Sequence, residues 1–141
     1  MIGTSRSAGL LALAVSFSAG IHAALVPEHL DEMPRLGYAF SAAAASGAVL
    51  AWMLVARPDD RRVALLAGLL CLGQIAAWAL FVTVAVPGFS GTPEPIETIA
   101  LLSKAVELAG VVLALSLVDI SKERRGTTQR SFGLRRSRAA S

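Results

Sequence analysis

Charge along this chain is confined to short islands, and four long apolar runs lie between them, at about 7–26, 36–56, 63–86 and 96–118. At a rise of about 1.5 Å per residue, each run as a helix spans a hydrocarbon core of roughly 30 Å. A chain segment in lipid must satisfy its own backbone hydrogen bonds, so runs of this length are expected as α-helices. The pattern predicts an all-α integral membrane protein, a four-helix bundle of up-down-up-down topology over residues 1–120. A basic, disordered cytoplasmic tail is expected over 121–141. The first run follows Arg6 and contains small residues near Ala19-Gly20, as a signal peptide would. It is longer than a usual leader core and lacks a good Ala-x-Ala site, so it reads as a retained first span.

Small residues recur four apart within the runs: Ala12, Ser16 and Gly20; Ala43, Gly47 and Ala51; Ala64 and Gly68; Gly73 and Ala77; Gly110 and Ala114. In lipid such stripes let helices approach closely, within one chain, in a homo-oligomer or against another membrane subunit. Tyr38 and Trp52 lie near run ends, where amphipathic rings favour the interface.

Composition agrees: 55% of the 141 residues are hydrophobic, and mean hydropathy is +0.63. The single cysteine, Cys71, excludes an intramolecular disulfide and any cysteine-based metal motif, and reads as a small buried apolar residue. The distribution of charge adds orientation. Arg6, then Arg57, Arg61 and Arg62, then the tail lie on one side; Glu28, Asp31, Glu32, Glu94 and Glu97 lie on the other, with Arg35. The positive-inside rule places both termini and the 57–62 loop in the cytoplasm, and the loops at 26–37 and 87–95 outside. Tail cations, among them Arg124, Arg125, Arg135 and Arg136, suit contact with anionic lipid or a partner. With Phe132 the only ring in the tail and no groove-reading motif, nucleic acid is not an expected partner.

Polar groups within the spans are where chemistry would sit, because each costs free energy unless partnered. Glu107 falls near mid-depth of the fourth run and Gln74 at similar depth in the third. Lys104 shares a helix face with Glu107 through its i,i+3 spacing. His22 and Ser41 fall at comparable height in the first two runs. Ser41, Gln74, Lys104 and Glu107 are thus candidates for one buried cluster. Above it lies Pro27-Glu28-His29, where the proline is expected to bend the helix and tip Glu28 and His29 over the mouth. Glu94, between Pro93 and Pro95, approaches from the second hairpin. His22, Glu28, His29, Glu94 and Glu107 together form a ligand set suited to a copper or zinc ion. The competing reading is structural: Lys104 and Glu107 neutralise each other, and His22 is polar glue between helices. Haem ligation is disfavoured, since both imidazoles belong to one span and its end. No phosphate loop or nucleophile–base arrangement is present, and no residue is assigned as catalytic.

His22, Pro27-Glu28-His29, Pro93-Glu94-Pro95 and the mid-span Glu107 resemble a family of small four-span membrane proteins from high-GC bacteria, over residues 10–118. That resemblance implies no particular activity, and it singles out the His/Glu set as the functional residues. An acidic position of the family pattern falls near Ala100 here, which is apolar, with Lys104 following. Three functions are then expected: a non-enzymatic binding protein with an outward-facing His/Glu metal site, an accessory subunit of a larger oxidase or monooxygenase complex, or a proton-coupled carrier.

Overall fold

The computed structural model describes the backbone of residues 2–89, 93 and 95–139, and the side chains of residues 5–89, 93 and 95–119. It is all-helical: α1 (Ile2–Glu32), α2 (Pro34–Ala56), α3 (Arg61–Thr83) and α4 (Thr98–Ala139). All four helices are long and apolar enough to cross a membrane.

Helix ends depart from the edges of the apolar runs for local reasons. Pro27 lies inside α1, which continues to Glu32 instead of ending at 26. Its missing donor removes one hydrogen bond of the helix, and the flanking turns persist. Pro34 opens α2, in the first turn where a proline needs no donor, so Met33 alone separates the two helices. Asp60 caps α3 by accepting from the Arg62 backbone N–H at 2.9 Å. That helix stops at Thr83, three residues before the predicted end. Val84 is extended, and Pro87 disfavours helical backbone at Val86. The fourth helix begins at Thr98 and runs on to Ala139, past the predicted end at 118.

α1 packs against each of the other helices, and α3 against α2 and α4; among the described residues α2 and α4 do not meet. Glycines permit close approaches between the helices, and Gly37 of α2 would bring a methyl 2.7 Å from the Leu30 backbone nitrogen of α1. A methyl built on Gly47 would lie 2.9 Å from the Ala19 Cβ, one on Gly68 2.7 Å from the Ala114 Cβ, and one on Gly110 2.9 Å from the Cys71 Sγ. Gly20 and Gly73, on equally regular stripes, meet nothing within 4 Å. Large side chains such as Leu13, Leu69 and Val112 are exposed on the outside, a surface suited to hydrocarbon.

Burial divides the molecule along its length. Near the chain's N-terminal end the core is wholly apolar, with Leu11, Val15, Leu54, Val63, Ala67 and Ala114 among its members. Toward the Glu32/Thr98 end the buried polar residues gather, Ser18, His22, Ser103 and Glu107, beside the apolar Ala19 and Leu36.

Candidate functional site

Glu107 is the centre of the polar half. It is fully buried, and both carboxylate oxygens are taken. Oε1 accepts from Ser18 Oγ of α1 at 2.9 Å and from Ser103 Oγ, one turn earlier on α4, at 2.8 Å. Oε2 pairs with Lys104 Nζ at 2.5 Å. The Lys104 ammonium also reaches the backbone carbonyl of Gln74 on α3, at 3.4 Å, and Ser18 Oγ lies 3.3 Å from Gln74 Oε1. Side chains from α1 and α4 therefore meet at one carboxylate, each bringing a donor or a compensating charge, and Gln74 of α3 offers acceptors to two of the same groups. This arrangement is what a buried ion pair requires.

Both histidines present themselves alike. His22 Nδ1 is 2.9 Å from the Ser18 carbonyl, and His29 Nδ1 is 2.9 Å from the Leu25 carbonyl. A carbonyl only accepts, so each Nδ1 carries a proton, and the neutral form of each ring keeps its lone pair on Nε2. The rings flank Phe40 of α2, at centroid distances of 5.2 Å for His22 and 4.5 Å for His29. The heptad spacing does put them on one face, because α1 continues through Pro27.

Above the ion pair the helices enclose a chamber of about 300 Å³, lined from all four helices. His22, Gln74, Ser103 and Lys104 form its floor. Phe40, Trp78 and Phe81 stand in its walls, and Glu28, His29, Glu32 and Glu97 line its upper part. Phe81 is braced by Phe89, edge to face, at 5.9 Å. Arg35, the cation nearest in sequence to the mouth, reaches the Gly88 carbonyl at 3.4 Å. The Trp78 indole Nε1 is buried without a hydrogen-bond partner. This size sits at the lower end of small-molecule pockets, and the mixture of apolar wall and few polar groups is typical of them.

The predicted cluster of Ser41, Gln74, Lys104 and Glu107 is thus corrected at one position. Ser41 Oγ donates to the Gly37 carbonyl of its own helix at 2.9 Å, and α2 contributes Phe40 instead. Ser18 and Ser103 were not anticipated, although each stands four residues before a residue that was, His22 and Glu107 respectively. The metal set fares differently. His22, Glu28 and His29 line the chamber, but Glu107 lies beneath it with its oxygens occupied. Among the described residues no group of three or more His, Cys, Asp or Glu is placed to hold a metal ion. Glu94 lies outside the described residues, and so do the side chains of Arg124, Arg125, Arg135 and Arg136. Comparison with protein-family models, with curated proteins and with solved structures finds no match. The chemistry of the site therefore rests on its geometry.

Proposed function

We propose that this chain is a non-enzymatic binding protein of the cell membrane, an up-down-up-down four-helix bundle with both termini cytoplasmic, whose ligand is a small molecule with an apolar body. One observation carries the reading: the chamber of about 300 Å³ between the four helices, apolar in its walls and polar at both ends. The orientation follows from the positive-inside rule, with Arg57, Arg61 and Arg62 cytoplasmic and the Glu28–Glu32 end outside. The chamber then opens toward the extracytoplasmic face. Among its described lining residues no group has the nucleophile–base geometry of a catalyst, and Glu107 is held by three donors from within the protein. The reading supposes that Lys104 and Glu107 form a structural floor beneath the bound molecule.

A copper or zinc ion is the second reading. It is favoured by the two imidazoles, whose Nδ1–H groups are fixed on carbonyls as those of ligating histidines commonly are. It lacks a third ligand among the described residues. The two readings separate in one experiment on protein in lipid nanodiscs. The probe 4-phenylbutan-1-ol is expected to bind the wild-type chain and to be lost from Ala100→Phe, which fills the chamber wall. Stoichiometric zinc or copper after equilibrium dialysis, removed by His22→Ala, would favour the ion instead. Failure of the alcohol to bind would overturn the small-molecule reading.

A further inference from the structure

The chamber's charge is one-sided, and this narrows its ligand. Glu28, Glu32 and Glu97 line it, and among the described residues Lys104 is the one Lys or Arg that does. That ammonium is already neutralised by Glu107 and hydrogen-bonded to the Gln74 carbonyl. Three carboxylates therefore act on the chamber without a free cation among its lining residues. All three are exposed, so they act on a cation at the chamber's mouth over the short range that salt allows, about 8–10 Å.

The polar atoms left over include an imidazole acceptor, beside the Gln74 amide nitrogen, a donor with no partner among the described hydrogen bonds. His22 is only 7% exposed and lines the chamber. Its Nδ1–H is bonded to the Ser18 carbonyl, and its Nε2 has no protein partner among the described hydrogen bonds. Nor is Nε2 among the sealed, partnerless side-chain atoms, which are Arg61 Nε and Trp78 Nε1 in the described residues. That lone pair is accordingly open to the chamber. His29 repeats the arrangement one heptad higher. Phe40 stands against both imidazoles, and Trp78 and Phe81 line the chamber with it; aromatic rings attract cations through their faces and shelter an apolar body.

We infer that the chamber takes a monovalent organic cation, a protonated or quaternary amine on an apolar body, held between the aromatic walls and the carboxylates of Glu28, Glu32 and Glu97. The inference rests on the small-molecule reading above and adds the sign of the ligand's charge. An anionic head group would meet three carboxylates, and a bare divalent ion would leave the aromatic walls without a role.

Three probes with one body and different heads test it in zwitterionic nanodiscs, with empty discs subtracted: 4-phenylbutyl-trimethylammonium, 4-phenylbutan-1-ol and 4-phenylbutanoate. The expected order is ammonium, then alcohol, then carboxylate, with the ammonium about tenfold or more tighter than the alcohol. The triple variant Glu28→Gln, Glu32→Gln, Glu97→Gln is expected to bring the ammonium to the alcohol's affinity, leaving the alcohol within about twofold. Equal binding of alcohol and ammonium would overturn the inference and leave the chamber reading standing. The same holds for tighter carboxylate binding, or for an ammonium affinity that ignores the triple variant. Absence of binding by all three probes would overturn both.

Discussion

Replacing Glu107 by Leu should be among the most damaging single changes available in this chain. The carboxylate is fully buried and balances Lys104 at 2.5 Å, so its loss leaves an ammonium inside the protein without a counter-charge. Breaking one side of a buried pair typically costs about 3–5 kcal/mol. The lower end applies here, because the Lys104 side chain keeps 13% exposure and borders the chamber, where water can reach it. Ser18 and Ser103 lose their acceptor too, but Ser18 retains Gln74 Oε1 at 3.3 Å, and a helical serine can return to its own backbone. The expected loss is about 3 kcal/mol. Removing both charges with Lys104→Met and Glu107→Leu should recover most of it, since an apolar pair of similar volume often replaces a buried ion pair at little cost. Equilibrium unfolding in mixed micelles with increasing SDS measures each variant, and the double-mutant cycle gives the coupling. A loss below about 1 kcal/mol for Glu107→Leu, or a double variant no better than the single, would refute the assignment of Glu107 as the buried counter-ion.

Two further outcomes follow from packing and charge. Gly68→Ala sets a methyl 2.7 Å from the Ala114 Cβ, which has no flexible end to yield. It should cost about 1–3 kcal/mol in the same unfolding assay, whereas Gly73→Ala, with nothing within 4 Å, should be neutral or stabilising by up to about 1 kcal/mol. A cysteine at the exposed Asp31 should react with a membrane-impermeant maleimide in intact cells, and one at the exposed Asp59 only after permeabilisation; buried Cys71 should stay silent. The opposite labelling would reverse the proposed orientation.

The helices were legible in the sequence because a span of apolar residues leaves the backbone no other way to satisfy itself in lipid. Their ends were less so. The first apolar run ends at 26, yet the helix passes through Pro27 to Glu32, and the chain turns at Met33 because Pro34 suits the start of α2. Depth was legible too: counting residues brought Gln74, Lys104 and Glu107 to one level, and they do meet. Azimuth was not. Ser41 sits at a suitable height but donates to its own helix, while Ser18, equally ordinary in sequence, points at Glu107. The stripes divide in the same way, since Gly47, Gly68 and Gly110 lie at helix contacts and Gly20 and Gly73 do not. Small-residue spacing marks a face, and only packing decides what that face meets.

The central claim, that His22 offers a free lone pair to a ligand-binding chamber, can be tested directly on the chain's two histidines. Protein labelled with ¹⁵N-histidine in nanodiscs, in mildly alkaline buffer, gives separate ring-nitrogen signals for each tautomer. The structure predicts the Nδ1–H tautomer for both rings and a shift of the His22 Nε2 signal on saturation with 4-phenylbutan-1-ol. That shift should be absent in Ala100→Phe. An Nε2–H tautomer at His22, or a spectrum unmoved by the probe, would contradict it.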